Sequence, residues 1–172
     1  MDKEKQIVEL QIGRKLRSES KVVSKCHLNL PTVIEVPPNL DDGTPFPTTF
    51  WLTCPMYNKK IGSLESNGMI KDLDEQLDNN SLLRAQWANR QKSYKEYREK
   101  LKDKKSAINP QGGVGGAANS VKCLHAHTAD ELATNQNIIG KIVIETLGSF
   151  NCENPCYNSE TLEKNQDWKV IW

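Results

Sequence analysis

From Ser81 to about Lys105 the chain places Leu83, Trp87, Arg90, Tyr94, Tyr97 and Leu101 at spacings of 4, 3, 4, 3 and 4. That spacing keeps one face of an α-helix apolar, so the segment predicts a single long amphipathic helix. Only Arg90 interrupts the stripe. Glu96 and Lys100 make a favourable i,i+4 pair, and Lys102, Lys104 and Lys105 complement the negative end of the helix dipole. Such a helix either packs over a sheet or presents Trp87, Tyr94 and Tyr97 to a protein partner or a second copy of the chain. Lys92, Lys95, Arg98 and Lys100 with the tyrosines would make a nucleic-acid face, but the interleaved Glu96 and Glu99 dilute it, so nucleic acid is not the expected partner.

The rest of the chain divides into shorter pieces. Ile7, Leu10 and Ile12 or Leu16 predict a helix over about 3–13, stopped at Gly13. Val22-Val23, Thr32 to Val36 and Thr48 to Thr53 are β-branched runs bounded by prolines and read as two or three antiparallel strands. Pro55 suits the first position of a helix closed by Asn67-Gly68, and Met69, Ile70, Leu73 and Leu77 begin another. The segment from Ile138 to Leu147, with Asn137 as a cap, fits a helix or a strand equally by pattern. The expected architecture is α+β, a small antiparallel sheet packed with several helices, one of them the long helix about 81–105. It forms a single domain over 1–172 with a glycine-rich loop at 111–119 inside it.

Lys and Arg number 23 against 22 Asp and Glu, so no global field holds this chain on nucleic acid or an anionic membrane. No apolar run approaches the roughly 18 residues of a membrane span, and the first residues lack a signal-peptide core. The expected location is cytoplasmic, where the five cysteines would be thiols or metal ligands.

The chemistry concentrates between Gly112 and Ala133, where four glycines precede Cys123, His125 and His127. Cys and His are soft-metal ligands, and zinc is the expected cofactor. If Val121 to Ala133 is helical, Cys123 and His127 share a face; if the helix begins at Thr128, an extended segment puts Cys123, His125 and His127 on one side. Further ligands must come from elsewhere, with Cys54 and Cys26 the leading candidates. At the strand-to-helix corner, Cys54 is expected to gain thiolate character from the helix dipole. Cys152 and Cys156, spaced as in metal knuckles, would complete that site or form another. An iron–sulfur cluster on four of the five cysteines is the alternative cofactor. Gly113, Gly115, Gly116 and Lys122 are candidates for holding an anion, although GGVGG completes no phosphate-binding motif. With three protein ligands, a metal would support hydrolysis; with four, it would be structural.

Several of these stretches together resemble one family. Cys26 precedes Pro31-Thr32-Val33, Phe46 to Pro55 ends the run TPFPTTFWLTCP, and Val121 to His125 reads VKCLH within GVGGAANSVKCLHAH. With Asn137 to Gly140, these resemble the uncharacterised bacterial family known as domain of unknown function 501. His27 and Ile138 stand where its pattern carries prolines. The resemblance implies a one-domain cytosolic bacterial protein and supplies no activity.

Overall fold

The computed structural model describes residues 2–102 and 110–172. Three strands, β1 (Lys21–Lys25), β2 (Pro31–Glu35) and β3 (Phe50–Leu52), form an antiparallel sheet in the order β1-β2-β3. Among the described residues six α-helices surround it, α1 (Lys3–Ile12), α2 (Pro55–Ser66), α3 (Met69–Asn79), α4 (Ser81–Lys100), α5 (Leu124–Thr134) and α6 (Ile138–Leu147), with a short 3-10 turn at Val114–Gly116. The fold is therefore α+β. The expected continuation of α4 through Lys104 to Lys105 lies outside the described residues.

Strand pleating explains why helices lie on both sides of so small a sheet. Val33 pairs with Leu52 and Ile34 with Trp51, so neighbouring residues of one strand point to opposite faces. Val33, Phe50 and Leu52 enter the large core with residues of α2 to α6, including Leu73, Trp87, Tyr94, Leu124 and Ile139. Ile34 and Val36 pack on the other face against Val8 of α1. The central strand β2 is consequently buried from Pro31 to Ile34, whereas β1 alternates along its outer edge.

The stripe on α4 is consumed within the chain. Trp87 is 6% and Tyr94 1% exposed, which corrects the expectation that they face a partner; Tyr97 alone remains at 38%. The Tyr94 hydroxyl accepts the Thr49 amide at 2.6 Å, anchoring the helix to the entry of β3. Arg98, considered for a nucleic-acid face, is itself buried, and its guanidinium donates to the carbonyls of Pro47, Pro110 and Gly112.

The segment that pattern left open between helix and strand is α6. Asn137 caps it by accepting the Gly140 amide at 2.9 Å. The absence of a side chain at Gly140 lets α6 approach α5, since a Cβ there would stand 2.2 Å from the His127 carbonyl oxygen. Residues 149–172 add no helix or strand, only a bridge between Tyr157 and Lys164.

Candidate functional site

Helix α5 begins at Leu124, one residue after Cys123, which occupies the N-cap position with an extended backbone. Glu65, on the last turn of α2, reaches this helix start and accepts the Leu124 amide at 2.7 Å. A carboxylate there meets both an unpaired amide and the positive end of the helix dipole. The first turn of α5 then brings His125 back towards the same carboxylate, with Nδ1 3.2 Å from Glu65 Oε1. One donor atom each from Glu65, Cys123 and His125 lies within 4.8 Å of the other two, and each residue is partly buried.

The other ring nitrogen of His125 fixes the state of the imidazole. Nε2 lies 3.2 Å from the Asn58 carbonyl, which accepts only, so Nε2 carries a proton. Nδ1 then faces a carboxylate oxygen, and two lone pairs at that distance repel unless a proton or a metal ion lies between them. Hydrogen bonding to Cys123 is the main cause that raises the His125 pKa to about 9, with Glu65 adding to it and burial opposing. In the metal-free protein the ring is an imidazolium at neutral pH.

Cys123 and His125 open onto a cleft of about 470 Å³ walled by Arg14, Phe50, Trp51, Asn58 and Gly115. The Arg14 guanidinium carbon lies 5.9 Å from the centre of the Trp51 ring, holding a positive charge at the apolar wall. The glycine-rich loop reaches this cleft through Gly115, whose φ of 65° is left-handed and whose Cβ position would lie 3.3 Å from that of Cys123. Four neighbouring loop amides are donated inside the protein: Gly113 to Ala117, Gly116 to Gly113, Ala117 to Val114, and Val114 to the Gln91 side chain. Lys122, also left-handed with φ 61°, brings its amino group beside Gly116.

The remaining residues singled out from sequence fall elsewhere. His127 is buried, its ring nitrogens facing Asn137 Oδ1 at 3.0 Å and the Val121 carbonyl at 3.2 Å. Cys26, Cys54, Cys152 and Cys156 all line a second cavity of about 210 Å³, bounded also by Met56, Tyr57, Phe150 and Trp168. The expected thiolate at Cys54 is corrected by this burial. Desolvation pushes its pKa up to about 12, against the pull of the Met56 and Tyr57 amides in the first turn of α2. Thus the structure joins Cys123 to His125, gathers the other four cysteines at another wall, and leaves His127 between buried acceptors.

Glu65 is the participant that sequence reading misses. It sits 58 positions before Cys123 in an ordinary amphipathic helix, and no local pattern marks it.

The family described as "Protein of unknown function (DUF501)" matches residues 22–145. The chain belongs to the DUF501 family. The DUF501 match contains Glu65, Cys123 and His125 together with Cys26 and Cys54, whereas Cys152 and Cys156 lie beyond it. No curated protein and no solved structure matches the chain.

Proposed function

We propose that Glu65, Cys123 and His125 hold a transition-metal ion, zinc being the best fit to one thiolate, one imidazole and one carboxylate, and that the protein is a metal-dependent hydrolase of a small anionic substrate. The observation that carries this reading is the convergence of three donor atoms within 4.8 Å, two of them, from Cys123 and His125, on residues that line a cleft. Three protein donors are the number found in catalytic zinc sites, where the ion keeps a position open and lowers the pKa of water. The Asn58 carbonyl supports the assignment, because a metal-binding histidine commonly donates its other N–H to a carbonyl or carboxylate. Arg14, stacked near Trp51, would attract the substrate's negative charge, and Gly115 would let it approach Cys123.

A second reading rests on the hydrogen-bonded pair of Cys123 and His125. An imidazolium beside a thiol at a helix N-terminus also suits a cysteine nucleophile, with Glu65 orienting the ring.

Zinc titration of reduced, metal-free protein, followed by assay on phosphate and carboxylate esters, separates the two. The metal reading expects about one tight zinc that is lost in Cys123→Ala and His125→Ala, weakened in Glu65→Gln, and required for turnover. Turnover that persists in chelator and is abolished by alkylating Cys123 would instead establish the nucleophile. Neither tight zinc nor turnover in protein with an intact trio would sink both.

A further inference from the structure

We infer that Cys26, Cys54, Cys152 and Cys156 form a separate metal centre of four thiolates, which fastens the irregular C-terminal segment to the folded domain. The inference does not rest on the Glu65 site.

Four of the chain's five cysteines border a single cavity of about 210 Å³, although they are brought there by unrelated parts of the chain. Cys26 follows β1 in the turn to β2, where its carbonyl accepts the Asn29 amide at 2.9 Å. Cys54 is the N-cap of α2. Cys152 and Cys156 come from the final segment, and the Cys152 carbonyl lies 2.9 Å from Nε2 of His27, next to Cys26. All four are free thiols.

Two further features suit a metal–thiolate centre. Gln11 donates its side-chain N–H to Cys156 Sγ at 3.7 Å while also bonding the Pro31 carbonyl, so an amide is already directed at one of the sulfurs. The wall is otherwise largely apolar, with Met56, Phe150 and Trp168 limiting the access of water to the sulfurs.

Residues 149–172 have no helix or strand to hold them. Cys156, Tyr157, Leu162 and Trp168 pack with Ile7 and Leu30, and single bonds such as Tyr157 Oη to the Leu10 carbonyl at 2.9 Å and Lys60 Nζ to the Ile171 carbonyl at 2.8 Å add to that attachment. A metal joining Cys152 and Cys156 to Cys26 and Cys54 would add a further constraint, because ligation fixes the segments that provide the ligands. Each thiol gives up its proton as it binds.

Two occupants share this donor set, a zinc ion and an iron–sulfur cluster. Around a single zinc ion four thiolates stand about 3.8 Å apart, from Zn–S bonds of about 2.3 Å. Among the described residues no three cysteine sulfurs lie within 4.8 Å of one another. A zinc ion would therefore draw the walls inward, whereas a cluster spreads its thiolates over several irons and sulfides.

The test uses full-length Cys123→Ala, which removes the other candidate site. One arm adds cobalt(II) and then zinc to the reduced protein; the other supplies ferrous iron and sulfide anaerobically. The expected result is about one centre per chain in one of the arms. It would be read as the thiolate-to-cobalt absorption of four sulfurs displaced by zinc, or as iron with acid-labile sulfide. Cys54→Ser and Cys156→Ser should lose it. The intensity of the thiolate-to-cobalt absorption counts the protein's sulfur ligands, and acid-labile sulfide establishes a cluster, without any further variant, so misfolding of those variants leaves the inference exposed. Failure to load in both arms overturns it, as does loading that survives both serine variants or a Cys26–Cys156 disulfide in anaerobically prepared protein. Because the test protein lacks Cys123, a negative result leaves the hydrolase reading standing, and a positive one does not support it.

Discussion

Arg90 on α4 and Asp130 on α5 form a two-pronged ion pair inside the protein, with Nε to Oδ2 at 2.8 Å and Nη2 to Oδ1 at 2.6 Å. Asp130 is fully buried and also accepts the Asn137 side-chain N–H at 2.7 Å, so one carboxylate connects the long helix, the site helix and the cap of α6. The arginine that interrupts the apolar stripe is thus a core residue with a dedicated partner. Removing one member leaves the other charged and unpaired, which costs about 3–5 kcal/mol. Asp130→Ala should lower the melting temperature by on the order of 10 °C for a chain of this size. In thermal unfolding, Arg90→Met combined with Asp130→Leu should recover much of that loss; a double variant as unstable as the sum of the singles would show that the pair is not coupled.

Arg98 controls the glycine-rich loop by bridging the carbonyls of Pro110 and Gly112 to that of Pro47, at 2.7 to 3.0 Å. Lysine keeps the charge but lacks the planar fork that reaches three acceptors. Arg98→Lys should cost about 2 kcal/mol and speed amide exchange at Gly113, Val114 and Gly116 by about tenfold or more, through easier local opening. Unchanged protection at these amides would mean that the loop is held by other contacts.

The state of His125 makes stability depend on pH in the metal-free protein. Unfolding returns the ring to its ordinary pKa near 6.5, while the folded value is about 9, so the folded state binds the proton more tightly. This contribution is complete below about 6.5 and disappears as pH rises through 9. Denaturant melts of metal-free protein at a series of pH values should show the decline, and His125→Asn should flatten it. A ring resonance that titrates near 6.5 by NMR would contradict the engaged trio. Zinc-loaded protein should lack this decline, because the ion takes the place of the proton on Nδ1.

Most elements were legible in the sequence because each is written locally. The stripe on α4, Pro55 at the start of α2, the stop at Gly13 and the β-branched runs of β2 and β3 concern residues within one or two turns of each other. The choice of helix for Ile138–Leu147 was not legible, since Ile and Val suit either state. It was decided by the Asn137 cap and by the close approach to α5 that Gly140 permits. The fate of the α4 aromatics was equally hidden: periodicity marks an apolar face but does not say whether the chain or a partner covers it.

By itself the sequence determined the α+β class, most of the element boundaries, and the stretch that carries Cys123 and His125. Tertiary structure decided which residues meet there. Glu65 joins the site because α2 ends against the start of α5, and the other four cysteines collect at a second wall because a turn, a helix cap and the final segment meet in one place. Backbone propensity acts over a few residues and so leaves its mark in the order of amino acids. A site assembled from distant segments depends on how whole elements pack, and no short window of sequence records that.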